Sequence, residues 1–263
     1  MVTGTLLGTG TSTGVPVIGC SCRTCTSDDP RDRRLRCSCL VEADGVRILI
    51  DAGPDFRRQA LEFAVPDVDA VLITHHHFDH VVGLDDLRPF LFGGRPRIPV
   101  YAMPSSANVL SSMFAYIFRD GSYPGVPRLD LREIRGPFTV RGRESGGAVP
   151  VRPIPAVHGS MDVLGFRVGG FAYLTDVSDI PEASLGLLED LDVLVLDALR
   201  ERPHPMHLTF DEAQAYARRI GARRTVFTHM THDALHAEMA ACLPNGMEPG
   251  YDGLTFEARS DDP

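Results

Sequence analysis

Short apolar segments that end in a histidine or an aspartate recur along the chain and constrain how it can fold. Several of them are apolar on both faces, which is the pattern of a strand buried between two layers. Gly, Pro or Asp residues bound many of the segments, as is typical of strands. The predicted strands are Thr5–Gly8, Cys37–Glu42, Val46–Asp51, Ala70–Thr74, Pro99–Ala102, Val151–Val157, Val163–Val168, Phe171–Thr175, Val193–Asp197 and Thr225–Thr228.

Helical stretches alternate with these strands. The sequence predicts helices over Asp55–Phe63, Ser105–Phe118 and Phe210–Ile220, and Thr209 is placed to cap the last of them. A chain of 263 residues can bury one large core without disulfide or metal staples. We therefore predict an α/β fold with one domain over residues 1–263. Its architecture would be an αββα sandwich, in which two sheets pack face to face with helices outside.

Two segments have the composition of long loops. Residues at about 19–36 combine three cysteines with a run of charged residues and a proline, which is too polar for a core element. Residues at about 119–150 are rich in Gly and Pro and sparsely apolar. We predict that this second segment is an insertion over the surface.

The charge balance and the apolar runs exclude several classes of partner. The chain has 26 Lys+Arg against 35 Asp+Glu, a net charge of −9, whereas nucleic-acid and anionic-membrane surfaces attract basic proteins. Its longest apolar runs, such as Val46–Ile50, are far shorter than the about 20 residues of a membrane-spanning helix. No basic stretch followed by an apolar one marks a signal peptide. We expect a cytoplasmic protein with no membrane or nucleic-acid partner.

A histidine-rich motif directly follows one of the predicted strands. A loop at a strand end lets His75, His77, Asp79 and His80 point to one place, whereas a helix would scatter residues spaced by two. Imidazole nitrogens combined with a carboxylate oxygen suit Zn²⁺, Mn²⁺ or Fe²⁺. This H-x-H-x-D-H pattern therefore predicts a metal site.

Three further residues of ligand type stand where predicted strands end. They are His158, Asp176 and His229. Open sheets place their functional sites where buried strands reach the surface. Ligands that are close in sequence fill only part of a dinuclear site. We therefore expect these three residues to complete the site that the motif begins.

The full pattern resembles the metallo-β-lactamase superfamily from about Leu6 to Thr255. The resemblance implies two divalent metal ions. It assigns His75, His77 and His158 to one ion and Asp79, His80 and His229 to the other. It makes Asp176 the residue that bridges the two ions. Asp79 is also counted among the catalytic residues. The resemblance makes Asp51 a structural aspartate beneath the site, with a simple turn cap as the alternative. Manganese and zinc both remain open, because nitrogen and oxygen ligands accept either.

Three cysteines form a separate cluster with the spacing C-x-C-x-x-C. In a reducing cytosol Cys20, Cys22 and Cys25 would not form disulfides, so a bound metal ion is the explanation for their close spacing. They are one ligand short of the tetrahedral set that structural zinc prefers, and His232 could supply the fourth. A redox pair is the alternative, although nothing nearby resembles a thioredoxin-type turn. We predict one structural zinc ion.

Within the superfamily, the glycine-rich segment Gly8–Ser12 and the cysteine loop resemble the phosphoribosyl 1,2-cyclic phosphate phosphodiesterases. The coenzyme pyrroloquinoline quinone biosynthesis protein B family has the same cysteine loop. The resemblance makes His207, just before a predicted helix, the acid that protonates the leaving group, with His204 as the alternative. It also implies a homodimer.

These observations predict an enzyme that hydrolyses a small phosphodiester substrate, such as a cyclic phosphate ester. Two close metal ions would activate a water for attack on phosphorus. One alternative is a transfer-RNA 3′-processing endonuclease of the ribonuclease Z type, which shares the ligands and the acid. Another is a non-catalytic metal-binding protein.

Several remaining polar residues have structural interpretations. Cys37, Cys39 and Cys242 are expected to be buried thiols, and His236 is expected on a helix surface. The arginine-rich run Arg31–Arg36 is expected to be solvated, although it could receive a substrate phosphate.

Overall fold

The computed structural model describes residues 1–118 and 125–260. In these residues the strands are β1 (Val2–Gly8), β2 (Ser38–Ala43), β3 (Val46–Ile50), β4 (Ala70–Leu72), β5 (Ile98–Ala102), β6 (Leu129–Glu133), β7 (Phe138–Arg141), β8 (Ala148–His158), β9 (Met161–Val168), β10 (Phe171–Leu174), β11 (Val193–Asp197), β12 (Arg224–Thr228), β13 (Met247–Pro249) and β14 (Thr255–Ala258).

The α-helices lie between these strands. They are α1 (Phe56–Glu62), α2 (Phe78–Val81), α3 (Pro104–Met113), α4 (Ala115–Phe118), α5 (Glu182–Leu185), α6 (Phe210–Ile220) and α7 (His236–Cys242). Segments of 3-10 helix cover Pro30–Asp32, Val82–Gly94 and Gly186–Leu188. None of the helices in the described residues has the length and apolar character needed to cross a membrane.

The first sheet has seven strands in the order β14-β1-β2-β3-β4-β5-β6. Strand β1 pairs antiparallel with β14 and β2, and β2 pairs antiparallel with β3. Strands β3 to β6 run parallel. The carboxyl ends of β3 and β4 therefore lie side by side at one edge of the sheet, and the segments that follow them can meet there.

The second sheet also has seven strands, in the order β13-β12-β11-β10-β9-β8-β7. Strands β10 to β13 run parallel, whereas β9 is antiparallel to both β8 and β10. Strand β8 consequently points in the same direction as β10, β11 and β12. The residues that end these four strands all emerge at one edge of the sheet.

Three apolar layers hold the sheets and helices together. In β3, Ile48 and Ile50 pack between the two sheets, while Leu49 packs against the helices that cover the first sheet. This alternation follows from the two-residue period of a strand, and both faces are buried. A third apolar layer joins the second sheet to α6 through residues such as Leu196 and Ala213. The predicted αββα sandwich is confirmed.

Helix α6 begins and ends where its sequence provides caps. The Thr209 hydroxyl accepts a hydrogen bond from the Glu212 backbone N–H at 3.2 Å, and the Glu212 carboxylate accepts one from the Thr209 backbone N–H at 2.8 Å. Gly221 ends the helix in the left-handed conformation with φ 71°. These caps fix the start of the helix, and with it the preceding segment that contains His207.

The segment predicted as an insertion at 119–150 lies partly outside the described residues, which omit 119–124. The rest of it supplies an edge strand to each sheet: β6 pairs with β5, and β7 pairs with β8. From Leu129 onwards the segment is therefore part of the two sheets rather than an addition to their surface.

Three expectations about exposure were wrong. His236 is 4% exposed and Arg34 is 1% exposed, although both were expected in solvent. Cys242, expected to be buried, is exposed. The Arg34 guanidinium is buried because it donates to the carbonyl oxygens of Thr231 and Ala234, at 2.6 and 3.2 Å. The predicted burial of the other two thiols, Cys37 and Cys39, is confirmed.

Candidate metal centre

The carboxyl ends of strands from both sheets meet at one site. The residues that follow or end these strands are Asp51 after β3, the His75–His80 motif after β4, His158 in β8, Asp176 after β10, Asp197 in β11 and His229 after β12. How the two sheets pack could not be inferred from the sequence alone. The face-to-face packing brings these strand ends together.

The residues that the resemblance assigned to metal ions form two groups of possible ligands, and Asp176 and His229 also form a third group with His207. One group is His75, His77, His158 and Asp176, and the other is Asp79, His80 and His229. Within each group one donor atom per residue lies within 4.8 Å of every other. The structure thus brings together all the residues that the resemblance assigned to two metal ions. Their ligation of a metal stays a prediction.

Asp176 lies between the two groups. Its Oδ1 is 3.9 Å from Nε2 of both His75 and His158, and its Oδ2 is 3.2 Å from Nε2 of His80. Oδ1 also lies 3.3 Å from Nε2 of His229. Because its carboxylate contacts members of both groups, Asp176 has the position that a bridging ligand requires.

The histidine rings are oriented by hydrogen bonds on their far side. The Nδ1 atoms of His75 and His80 lie 3.0 Å from Thr74 Oγ1 and 2.8 Å from Asp51 Oδ2. Nδ1 of His158 donates to the carbonyl oxygen of Met206 at 2.7 Å. These partners leave Nε2 of each ring free to face the site, which is the arrangement usual for metal-binding histidines. The predicted structural role of Asp51 beneath the site agrees with this contact.

Several buried nitrogen atoms in the site have no hydrogen-bond partner among residues 1–118 and 125–260. Among them are Nε2 of His75, His80 and His229. Leaving a buried polar atom without a partner costs about 1–3 kcal/mol. A divalent cation between the two groups would bind these nitrogens and the nearby carboxylates. The residues present therefore fit a pair of such ions.

The strand ends at the site have an unusual backbone conformation. Asp51, Asp176 and His229 have φ of 61°, 56° and 61°. This left-handed region is uncommon for residues other than glycine, and each such residue costs of order 1 kcal/mol or more. Strain of this kind concentrates at functional sites. Here all three residues stand at strand ends, and their side chains contact the other residues of the site.

The ionisation of the site is governed by burial and by neighbouring charges. Burial lowers the pKa of His75, and His80 lowers it further. Burial opposes ionisation of Asp176, but the positive charges of the His229 and His80 rings outweigh it and hold the pKa of that carboxyl well below its usual range. The neutral His75 ring and the ionised Asp176 carboxylate are the forms that bind a metal.

His207, the predicted acid, stands beside both groups. Its ring centroid is 4.6 Å from that of His158 and 4.6 Å from that of His229, and its Nδ1 lies 3.3 Å from Asp197 Oδ1. His204 is farther from the ligands: its ring centroid is 5.1 Å from that of His207, and its Nδ1 accepts a hydrogen bond from the Met206 backbone.

Asp197 was missed as a functional residue in the sequence. It ends the buried strand β11, as Asp176 follows β10, so the same pattern could have identified it. Its Oδ2 accepts a hydrogen bond from the Leu208 backbone N–H at 3.0 Å, and its Oδ1 lies 3.5 Å from Nδ1 of His229. One carboxylate thus contacts both the predicted acid and a predicted ligand.

The cysteine cluster is also assembled as predicted. The sulfur atoms of Cys20, Cys22 and Cys25 lie 3.3, 3.4 and 3.3 Å from Nδ1 of His232. The three cysteines are free thiols, and the backbone N–H of Cys25 lowers the pKa of Cys22 to about 6. Three thiols and one imidazole at these distances fit a tetrahedral zinc ion. Its presence stays a prediction.

Fold and site together define the class of this protein. The family described as "Beta-lactamase superfamily domain" matches residues 46–230, and the chain belongs to this superfamily. A crystal structure described as a new diphosphatase from the PhnP family shares 42% identity with it, covers 99% of each chain and superposes with a TM-score of 0.91. At that identity and coverage, the chain is a member of the PhnP family.

Two further relatives have different names. Zinc-bound PqqB from Methylobacterium extorquens has a TM-score of 0.74 at 20% identity and covers 97% of this chain and 99% of its own, a likeness of fold alone. A protein named octanoyltransferase, from Porphyromonas gingivalis, is 42% identical over 254 residues, 95% of this chain and 50% of its own length. The chain therefore spans about half of that curated relative.

Proposed function

We propose that this protein is a metal-dependent phosphodiesterase that hydrolyses a small cyclic phosphate ester of the 5-phosphoribosyl 1,2-cyclic phosphate type. The observation that carries the proposal is the position of His207, with its ring centroid 4.6 Å from ligand rings of both groups. A protein that only stored metal would not need a proton donor there. The diphosphatase named in the PhnP family supports phosphoryl chemistry.

The residues that would hold the ions are the two groups described above, with Asp176 in contact with both. When bound, two divalent ions, manganese or zinc, supply Lewis-acid activation of water and neutralise charge on the phosphoryl oxygens. Cys20, Cys22, Cys25 and His232 would hold one structural zinc. A cytoplasmic location and a homodimer stay predictions.

The chain itself supplies orientation and proton transfer. The Asp197 carboxylate lies 3.3 Å from Nδ1 of His207, and a hydrogen bond from that nitrogen to the carboxylate orients the ring. Nε2 of His207 is then free to donate a proton to the departing alkoxide. A positioned acid of this kind contributes about 10²–10⁴ in rate. The His207 side chain is 10% exposed, so it can reach a substrate at the surface of the site.

The test compares His207→Ala with His204→Ala on two phosphodiesters in the presence of Mn²⁺. Bis(p-nitrophenyl) phosphate has a leaving group that needs little protonation, whereas an alkyl ester needs an acid. We expect His207→Ala to lose about 10²–10⁴ in kcat on the alkyl ester and much less on the nitrophenyl ester. His204→Ala should reduce neither rate by that factor.

Two results would contradict the proposal. Wild-type protein loaded with metal but inert towards every phosphodiester would point to a metal-binding protein. Equal loss on both esters in His207→Ala would remove the proton-donor role from His207.

A further inference from the structure

The turn between β8 and β9 contains a glycine in close contact with the loop that carries the predicted acid. Gly159 directly follows the predicted ligand His158 and has φ 63°. A Cβ atom on this residue would overlap with Sδ of Met206 and would lie 2.9 Å from its Cε. The glycine therefore leaves the space that the Met206 side chain occupies.

Hydrogen bonds from a second segment hold this turn in place. The Gly159 N–H donates to the Ser178 hydroxyl at 2.8 Å, and that hydroxyl donates to the Val157 carbonyl oxygen at 3.0 Å. The Ser178 backbone N–H donates to the same carbonyl oxygen at 2.7 Å. Ser178 stands two positions after Asp176. The turn is thus tied to the segment of the predicted bridging residue, and it offers Met206 a fixed surface.

The backbone of Met206 links a predicted ligand to the predicted acid. Its carbonyl oxygen accepts from Nδ1 of His158 at 2.7 Å, and the next residue is His207. The residue after His207 is Leu208, whose N–H donates to Asp197 Oδ2 at 3.0 Å. His207 therefore has one anchored neighbour on each side along the chain. A displaced Met206 would move His207 relative to His158, whose ring centroid is 4.6 Å away.

We infer that Met206 is a positioning residue for the predicted acid: its thioether packs on Gly159 and holds His207 where it can protonate the leaving oxygen. This inference rests on the proposed function. A methionine side chain is unbranched and flexible, so it keeps one place only where its surroundings fit it. His207 matters most where the leaving group needs a proton. Loss of the contact should therefore slow esters with poor leaving groups selectively, whereas loss of metal ions would slow every phosphodiester.

The experiment measures, in excess Mn²⁺, the ratio of kcat on an alkyl phosphodiester to kcat on bis(p-nitrophenyl) phosphate. Met206→Ala should lower this ratio about tenfold, because a misplaced acid donates poorly. Met206→Leu should keep most of the ratio, since leucine fills a similar volume. Gly159→Ala should lower the ratio as well, because its methyl group displaces Met206. Added to Met206→Ala, Gly159→Ala should have little further effect on the ratio, because the side chain that it displaces is gone.

Gly146→Ala is the matched control for backbone strain. Gly146 has φ 75°, and in the described part of the chain no atom lies within 4 Å of a Cβ built there. This variant should keep the wild-type ratio. An unchanged ratio in Met206→Ala, or an equal loss on both esters, would overturn the inference.

A failure of the proposed function would look different. Wild-type protein without turnover of either ester, or His207→Ala with an unchanged ratio, would contradict that function. The crystal structure of Gly159→Ala then decides the inference by itself. A His207 ring displaced from His158 supports the positioning role of Met206, and a ring in the wild-type position overturns it.

Discussion

At the scale of single residues, the site depends on groups that never face the substrate. Asp51 is fully buried, and its carboxylate accepts hydrogen bonds from the Thr74 N–H, the Thr74 hydroxyl and Nδ1 of His80. One side chain thereby fixes both the start of the His75–His80 motif and the orientation of a ligand ring within it. Substitutions at such positions act on metal binding through the ligands.

We predict that Asp51→Asn weakens metal binding by about 10-fold to 100-fold, because the amide cannot accept from all three donors. The measurement is the dissociation constant of the catalytic ions, obtained by competition with a chelator. Asp211→Asn, on the exposed first turn of α6, serves as the control. Identical constants for Asp51→Asn and the wild type would mean that Asp51 is only a turn cap.

The second prediction at this scale concerns substitution of Asp197. Asp197→Asn keeps the volume of the side chain and an oxygen for the Leu208 N–H, but it removes the carboxylate oxygen that accepts from Nδ1 of His207 and orients its ring. We expect kcat for an alkyl phosphodiester to fall by about 10-fold to 100-fold. Metal content is measured on the same samples in excess metal, which separates this loss from weaker metal binding through His229. A wild-type kcat would exclude Asp197 as a positioning residue.

At the scale of elements, the segment between β12 and α7 connects the two candidate metal sites. It contains His229, which belongs to the candidate dinuclear site, and His232, which belongs to the cysteine cluster. Arg34 is buried beneath this segment and donates to the carbonyl oxygens of Thr231 and Ala234. Its guanidinium also lies 3.4 Å from the buried Asp32 carboxylate.

We predict that Arg34→Met destabilises the protein by about 3–5 kcal/mol, because it leaves Asp32 buried without its partner. The zinc bound by the cysteine cluster should be lost more readily, since His232 is no longer fixed. Urea denaturation and zinc release to a chelator measure the two effects. Arg33→Met is the control, because Arg33 is exposed. Matching stability and zinc release in the two variants would contradict this account.

The sequence predicted the elements that combine buried strands with ligand-type ends. Strands such as β3 and β11 are apolar along most of their length, so their position and their functional ends could be inferred. The edge strands β6 and β7 are only partly buried and mix polar with apolar residues, and their segment was interpreted as an insertion. Arg34 could not be predicted to be buried, because its partners are carbonyl oxygens about 200 positions away. Backbone acceptors leave no sequence pattern.

At the scale of the whole molecule, Asp252 joins segments from both ends of the chain. Its Oδ1 accepts from the Thr9 hydroxyl at 2.8 Å, and its Oδ2 accepts from the Leu35 N–H at 2.7 Å. Burial raises the pKa of this carboxyl to about 7. The folded protein therefore binds more protons here than the unfolded chain does between about pH 4 and pH 7.

From this linkage we predict that the contribution of Asp252 to stability decreases as pH rises from about 4 to 7, and is constant above that. An asparagine could donate to the Thr9 hydroxyl and accept from the Leu35 N–H without this titration. Relative to that of the wild type, the free energy of unfolding of Asp252→Asn should thus increase by at least about 1 kcal/mol as the pH is raised from 5 to 8. Denaturation of both proteins at the two pH values tests this, and a pH-independent difference would contradict it.

The overall charge leads to a prediction about transfer RNA, the substrate of the alternative enzyme class. A net charge of −9 gives no long-range attraction to a polyanion. In a gel-shift assay at two salt concentrations we expect weak binding with little dependence on salt. Tight binding that falls steeply as salt increases would indicate a phosphate-gripping surface, and would favour the endonuclease.

The most direct test of the account is the metal content of purified protein, measured by mass spectrometry beside Asp176→Asn and Cys22→Ser. If both clusters bind as proposed, the wild type contains about three metal ions per chain. Asp176→Asn should lose the catalytic pair and keep the structural zinc, whereas Cys22→Ser should lose only the zinc. A wild type with one ion or none, or an Asp176→Asn variant with unchanged metal content, would contradict the dinuclear centre.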